Sequence, residues 1–389
     1  MKIGVVGLPN VGKSTLFNAI TEAGAECANY PFCTIEPNVG VVAVPDERLG
    51  ALEKLYSAKR VVPATIEFVD IAGLVKGASS GEGLGNKFLS HIRECDAIIM
   101  VVRCFDDPNI INVSDTVDPV RDADTINTEL CLADLESIEK RRARFEKTAK
   151  SGDPKAVEAL ALLDRMSACI NDGKSLRSLG LDPETLATVE GQFLLSAKPI
   201  IYCANISEDD IGISHNEYVD KVKAYAAADG AACIDICAKV EQEISSLPPE
   251  ERGEYLDALG LVRSGLERII TSGYELLGLM SYLTAGEKEV RAWTIERGTT
   301  APKAAGKIHT DFERGFIRAE IVSYDDLISC GSLAAVKAAG KLRSEGKDYV
   351  MQDGDVGEFK FNVLVDILIV SKRSTLRSRT FCPDRSFRT

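Results

Sequence analysis

The feature that most constrains this sequence is a glycine-rich loop that lies between a short apolar run and a helix. Ile3–Val6 is typical of a buried strand, and the residues from Lys13 to about Thr21 predict a helix. The loop between them starts at Gly7 and has the spacing Gly-x-x-x-x-Gly-Lys-Ser. Its glycines let the backbone curl so that N–H groups point inward at a helix N-terminus, where they bind anions. Strand, loop and helix in this order predict a phosphate site in a layered α/β domain.

The side chains around this loop predict a nucleotide triphosphate with a divalent cation. Lys13 would neutralise the β- and γ-phosphates, and the Ser14 hydroxyl would bind Mg²⁺. A later strand ends at Asp70, predicted to be linked to the metal, and the N–H of Gly73 would face the γ-phosphate. Thr34 is the predicted switch threonine that closes over the metal. Each signal is weak alone, but the ordered set is strong.

The residue that follows Gly73 bears on hydrolysis. Many GTPases of this kind have a glutamine there that orients the attacking water, whereas this chain has Leu74. The water would therefore be positioned by a bound cation, by backbone groups or by a loop side chain, and slow turnover is expected. The Asn10 amide oxygen could coordinate K⁺, or Asn10 could only stabilise the turn, and the sequence leaves both roles open.

Base recognition is predicted from the residues after the strand Pro199–Ala204. GTPases bind guanine through Asn-Lys-x-Asp, and this chain has Asn205, then Ile206 in place of the lysine and Glu208 in place of the aspartate. Adenine lacks the exocyclic N2 donor of guanine, so the altered residues favour ATP, with Asn205 and the Ile206 backbone near the base. A Cys-Ala-Lys sequence ending at Lys239 occupies the place of the second base loop, Ser-Ala-Lys, and keeps GTP as an alternative.

The periodicity of apolar residues divides the chain into domains. Strand and helix signals alternate over the first hundred residues, and two long amphipathic helices around a Ser-Gly-Asp-Pro turn then predict an inserted hairpin. The hairpin could brace the domain or serve as a partner-binding arm. Helices are expected to about Leu283, followed by short strands. The predicted units are an α/β nucleotide-binding domain (1–125 and 196–283), a helical hairpin (126–195), an α+β module (284–363) and a basic tail (364–389).

Composition indicates a soluble cytoplasmic protein. The net charge of −13 argues against a uniformly basic nucleic-acid binder. The longest aliphatic run, Ala97–Val102, is far shorter than the ~20 residues that span a bilayer, and we expect no membrane partner. Eleven scattered cysteines and three histidines without zinc spacing indicate a reducing compartment. The tail carries six Lys/Arg and two Asp/Glu, and it could bind RNA or be non-native, so we assign it no function.

Several long stretches together resemble the Obg-like ATPases, the YchF family. Those of the nucleotide-binding part are 7–15, 29–38, 70–78 and 81–86. Two later stretches, 289–295 and 301–313, look like the C-terminal TGS domain of that family. The similarity runs from Met1 to about Val363 and is highly specific.

The resemblance implies a P-loop NTPase domain of the translation-factor (G-protein-like) type, a helical arm and a TGS domain of β-grasp topology. It also implies Mg²⁺-dependent ATP hydrolysis with weaker GTP use, association with the large subunit or the whole ribosome, and a role in translation or stress responses. Ser14 and Thr34 would face the metal, and Ile206 would contact the base. The residues carried over as phosphate ligands are Asn10, Val11, Gly12, Lys13, Ser14 and Thr15.

One departure from the family concerns catalysis, and several readings stay open. Family members often have a histidine, proposed to position the water, where this chain has Asn112, which cannot act as a base near neutral pH.

Alternative functions are a translational GTPase with an unusual base loop, a metabolic phosphotransferase, and an RNA-binding protein with a vestigial site. The twelve Lys/Arg and thirteen Asp/Glu of residues 284–363 nearly cancel, which leaves RNA or protein as the contact of the TGS domain. We expect a monomer.

Overall fold

The computed structural model describes residues 1–24, 38–72, 84–110, 116–213 and 215–362, and the structural statements below concern these residues. Within them, the strands form two six-stranded sheets. The strands are β1 (Lys2–Val6), β2 (Val39–Ala43), β3 (Val61–Val62), β4 (Thr65–Asp70), β5 (Ala97–Arg103), β6 (Ile200–Asn205), β7 (Ala232–Ile236), β8 (Leu279–Ala285), β9 (Val290–Glu296), β10 (Phe316–Ser323), β11 (Arg343–Glu345) and β12 (Asp355–Phe361).

The α-helices of the same ranges cover the first sheet, form the inserted arm and pack on the second sheet. They are α1 (Lys13–Gly24), α2 (Glu47–Tyr56), α3 (Leu84–Arg93), α4 (Pro119–Ala149), α5 (Pro154–Asn171), α6 (Pro183–Thr188), α7 (Glu217–Ala228), α8 (Ala238–Ser246), α9 (Pro249–Ala258), α10 (Gly265–Leu276), α11 (Ala301–Ile308), α12 (Thr310–Arg314), α13 (Tyr324–Cys330) and α14 (Leu333–Ala338). Among the helices described, none combines the length and the apolar character needed to cross a bilayer.

The first sheet confirms the predicted α/β nucleotide-binding fold. Its strand order is β2-β4-β1-β5-β6-β7, and every pair is parallel except β2 with β4. Every residue of β5 is buried, as expected for a central parallel strand that helices cover on both faces. Because parallel strands end at one edge of a sheet, the C-terminal ends of β1, β4, β6 and β7 lie at the same edge. Among the described residues, this edge carries the predicted site residues 10–15, Asp70, Asn205, Ile206 and Glu208.

The inserted helical hairpin is present, but its first helix begins earlier than the predicted start near residue 126. α4 starts at Pro119 because Asp118 caps it, accepting a hydrogen bond from the Arg121 N–H at 3.1 Å, while proline suits the first helical position. The second helix, α5, starts in the same way after Asp153. The outer part of the hairpin has a hydrophobic core of its own, built from residues such as Ile138, Leu163 and Met166.

The second sheet has the order β11-β10-β12-β8-β9-β3 and corrects two expectations. Helices do not continue to Leu283, because Gly278 adopts a φ of 63° after α10 and β8 starts at Leu279. The predicted boundary at residue 284 therefore falls inside a strand. β8 is buried on both faces over its first five residues, so it lacks the alternation that marks a half-buried strand.

The two sheets are joined by a segment of the nucleotide-binding part that adds a strand to the second sheet. β3 pairs in parallel with β9, with Val61 opposite Val290. Next to it, the Arg48 guanidinium bridges Asp46, at 2.8 Å, and Asp353, at 2.9 Å. These carboxylates raise the pKa of Arg48. The second sheet therefore packs against the nucleotide-binding part through both main-chain and ionic contacts.

Candidate nucleotide site

The loop that connects β1 to α1 is shaped by two residues with positive φ. Asn10 has a φ of 65° and Gly12 a φ of 93°, a region that glycine and, more rarely, asparagine adopt at low cost. Gly7 is tightly enclosed, since a Cβ there would lie 2.8 Å from Val11 Cγ2 and 2.9 Å from the Val101 carbonyl oxygen. The φ of Asn10 supports its turn-stabilising role. The loop leads directly into the N-terminus of α1, which is a favourable position for phosphate.

Lys13 and Asp70 form an ion pair at the base of this loop. The Lys13 ammonium donates to Asp70 Oδ1, and the two side chains are 12% and 24% exposed. The contact follows from the fold, because β1 and β4 are neighbours with Val5 opposite Asp70. The structure therefore brings the predicted phosphate-binding lysine and the predicted metal-linked carboxylate together.

The donors at this position fit Mg²⁺. Ser14 is exposed at the start of α1 and offers a hydroxyl oxygen, and Asp70 offers a carboxylate that already binds the cationic Lys13. Mg²⁺ in such sites is held by one or two side-chain oxygens together with substrate phosphates. Thr15, half-buried, lies beside Ser14 on the same turn.

Asn205 ties the phosphate loop to the two loops that are predicted to recognise the base. Its side chain is buried, donates from Nδ2 to the Val11 carbonyl oxygen at 2.9 Å, and accepts at Oδ1 from the Ala238 N–H at 2.9 Å. The amide also packs so closely on Gly12 that a side chain there would collide with it. Asn205 therefore holds three loops in register.

Ile206 follows in the first base loop and is 8% exposed. Its N–H donates to the Ile236 carbonyl oxygen at 2.8 Å, which extends the pairing of β6 with β7 by one bond. A lysine at this position packs along the base in guanine-binding proteins, and the short aliphatic side chain here offers only an apolar contact.

Glu208 pairs with Lys239 across the two base loops. Glu208 starts a short 3-10 helix after β6, and its Oε2 accepts a hydrogen bond from the Lys239 ammonium at the start of α8. This hydrogen bond raises the pKa of Lys239. Sequence reasoning placed both residues at the base site but missed the pair, because nothing in the local pattern links positions so far apart.

Arg103 is a second residue whose role sequence reasoning missed. It ends β5, is 3% exposed, and donates to the carbonyl oxygens of Phe105 at 3.0 Å, Asp107 at 3.2 Å and Ile110 at 3.3 Å. The sequence did contain a signal for this role, namely an arginine at the end of an otherwise apolar strand. Arg103 thus shapes the loop that leads toward Asn112.

Three predicted residues lie outside the described part of the chain, namely Thr34, Gly73 and Asn112, as does Leu74. Their predicted roles stay predictions. The described residues nevertheless define a class: a parallel sheet, a phosphate loop at a helix N-terminus, a lysine–aspartate pair and an asparagine-linked base loop make a P-loop NTPase domain of the G-protein type.

Comparisons with known proteins agree with this class. A family model described as a 50S ribosome-binding GTPase matches residues 2–143, and a model for the C-terminal part of YchF GTPases, described as a protein of unknown function, matches residues 279–362. The ribosome-binding ATPase YchF of Bacillus subtilis is 56% identical over 361 residues, which cover 92% of this chain and 99% of the relative.

More distant relatives agree as well. Obg-like ATPase 1 of Oryza sativa is 46% identical over 368 residues, covering 93% of this chain and 92% of the relative. The structure of the Schizosaccharomyces pombe YchF GTPase superposes with a TM-score of 0.84 at 42% identity, covering 92% of this chain and 97% of the other. The chain belongs to the YchF family of Obg-like ATPases.

Proposed function

We propose that this protein is a ribosome-associated ATPase that hydrolyses ATP to ADP and phosphate, and GTP more weakly, as a regulatory switch in translation or stress response. The observation that carries the proposal is the base site. Asn205 holds the base loops against the phosphate loop, as a nucleotide site requires, while Ile206 and Glu208 replace the guanine-binding lysine and aspartate. The names of the relatives, ribosome-binding ATPase and Obg-like ATPase, support it.

In this proposal, the phosphates lie along the loop from Asn10 to Thr15, where backbone N–H groups and the α1 N-terminus favour anions. Lys13 would leave Asp70 and bind the β- and γ-phosphates, since a highly charged phosphate competes well with one carboxylate. Ser14, Thr34 and Asp70 would hold Mg²⁺, which neutralises charge on the transferred phosphoryl group. Val11 and Gly12 contribute main-chain contacts.

The switch and the attacking water are assigned to the segments of the chain that follow α1, β4 and β5. Thr34 and the Gly73 N–H would close around the γ-phosphate and open after hydrolysis. Asn112 would hydrogen-bond the water without acting as a base. A K⁺ ion coordinated by the Asn10 amide oxygen is a second candidate, besides Asn112, for positioning the water.

The proposal extends to partner and location. The ribosome, as large subunit or whole particle, would be the partner, with RNA contact through the C-terminal TGS domain. The protein would act as a cytoplasmic monomer. The helical arm formed by α4 and α5 would report the nucleotide state to the partner.

Competitive binding of ATP and GTP to the purified protein, with Mg²⁺ and K⁺ present, tests the nucleotide assignment. We expect a clear preference for ATP. A separate turnover assay should show slow release of inorganic phosphate. Equal or tighter GTP binding would instead identify a translational GTPase with an unusual base loop. Transfer of the radiolabelled γ-phosphate to a small acceptor would contradict the switch.

Cosedimentation with ribosomes tests the partner. The protein should pellet with ribosomes, and a non-hydrolysable ATP analogue should change the bound fraction relative to ADP. A bound fraction that does not depend on the nucleotide would contradict a switch. The matched control is Lys13→Met, which should lose the nucleotide dependence because its phosphate loop lacks the ammonium group.

A further inference from the structure

The Glu208–Lys239 pair is held in place by the loops that carry it. Asn205, three residues before Glu208, accepts a hydrogen bond from the N–H of Ala238, the residue before Lys239. The two backbones are therefore tied together next to the pair. Both side chains remain accessible, Glu208 at 46% and Lys239 at 65% exposure.

Two neighbouring carboxylates, Asp210 and Glu243, have hydrogen-bond partners of their own. Asp210 accepts hydrogen bonds from Ser207 at 2.8 Å and from Asn216 at 3.2 Å. Glu243, a carboxylate on α8 whose charge acts on Lys239, accepts a hydrogen bond from the Tyr255 hydroxyl at 2.8 Å. Lys239, in turn, donates its hydrogen bond to Glu208.

The chemistry of the two bases makes this pairing important. Guanine presents adjacent N1–H and N2–H donors, which a free carboxylate accepts together. Adenine presents an N1 acceptor beside its N6 donor, so a free carboxylate at the same position meets a lone pair. A carboxylate already engaged by an ammonium group accepts more weakly, and guanine loses more than adenine.

We propose that Lys239 is a positioning residue for base selectivity, because its ammonium group engages Glu208 and withholds that carboxylate from guanine. The inference rests on the proposed ATP-selective site. It assigns the discrimination to the pair rather than to the Asp-to-Glu replacement alone. Lys239 of the Cys-Ala-Lys loop then lowers the affinity for GTP relative to ATP, although the sequence alone kept this loop as an argument for GTP.

The test compares the ratio of the GTP and ATP dissociation constants, measured by titration with Mg²⁺, across matched variants. Lys239→Met keeps the aliphatic stem and removes the charge, and the ratio should move toward GTP by about fivefold, the upper range for an exposed ion pair. Lys239→Arg keeps the charge and should retain the wild-type ratio. Lys221→Met removes an equally exposed lysine that pairs with Glu217 on α7, and it should change nothing.

A double variant separates positioning from a general charge effect. In a Glu208→Gln background, Lys239→Met should leave the ratio unchanged, because the carboxylate that it releases is gone. A Lys239→Met ratio within twofold of wild type, or an equal shift in Lys221→Met or in the Glu208→Gln background, overturns the inference while the ATP preference of the wild type stands. A wild-type protein that binds neither nucleotide, or prefers GTP, overturns the proposed function itself. Unfolding temperatures of all variants verify that each is folded.

Discussion

Replacing Asn205 should separate the phosphate loop from the base loops. The side chain is 4% exposed and makes two hydrogen bonds of 2.9 Å, one to the Val11 carbonyl oxygen and one from the Ala238 N–H. Asn205→Ala removes both. Asn205→Asp keeps the acceptor for Ala238 but places an oxygen opposite the Val11 oxygen, so that two acceptors face each other in a buried position.

The magnitude follows from these contacts. Each hydrogen bond contributes about 0.5–1.5 kcal/mol net, and the partner groups of Val11 and Ala238 stay buried, so Asn205→Ala should cost about 2–3 kcal/mol. If ATP binding has to hold the loops in place without these two contacts, this free energy is taken from binding, and the ATP affinity falls about 30- to 150-fold. Asn205→Asp should be impaired at least as strongly, because a buried unpaired charge is costly.

Calorimetric titration with ATP and Mg²⁺ measures the loss, and Asn171→Ala, at the exposed C-terminal end of α5, is the matched control. We expect the control to bind ATP like the wild type. An Asn205→Ala variant that binds ATP within threefold of wild type would refute the argument that this side chain assembles the site. So would an Asn205→Asp variant that binds better than Asn205→Ala.

Three further predictions concern other described contacts. Asp229→Ala leaves the buried Arg177 guanidinium, 3.1 Å away in the native protein, without its carboxylate. Denaturant titration should show a free energy of unfolding lowered by about 3–5 kcal/mol. Asp164→Ala, which removes an exposed ion pair with Arg142, is the control and should cost under about 1 kcal/mol. Arg103→Met removes the hydrogen bonds to three carbonyl oxygens of the loop after β5. Because that loop leads to the residue predicted to position the water, kcat should fall about tenfold with little change in KM. An unchanged kcat would exclude a catalytic role for the loop. Lys13→Met should weaken ATP binding by about 10- to 100-fold in titration, because a charge-assisted contact to phosphate is lost, and unchanged affinity would contradict the assignment.

Features that depend on neighbouring residues could be predicted from the sequence. The phosphate loop, the strand before it and the helix after it all follow from adjacent residues, as does the turn between the two arm helices. The α/β fold with its helical insertion and second sheet is confirmed. Errors of several residues occur where caps decide the boundary, as at Pro119, or where a strand buried on both faces lacks alternation, as at Leu279.

Contacts between distant parts of the chain could not be predicted in this way. The addition of β3 to the second sheet pairs residues more than two hundred positions apart, and neither segment carries a signal for the other. The same holds for the described contacts of Arg103, because the carbonyl groups of Phe105, Asp107 and Ile110 that it contacts are backbone groups and leave no trace in residue type.

The sequence by itself determined which chemical groups this protein offers: a lysine and a serine in a phosphate loop, a carboxylate at a strand end, and a predicted base loop whose residues differ from Asn-Lys-x-Asp. The tertiary structure decided which of these groups meet. Parallel strands that end at one sheet edge bring Lys13 to Asp70, Asn205 to Val11 and Ala238, and Glu208 to Lys239. Such pairings depend on strand order and register, which arise only when distant segments bury their apolar faces together.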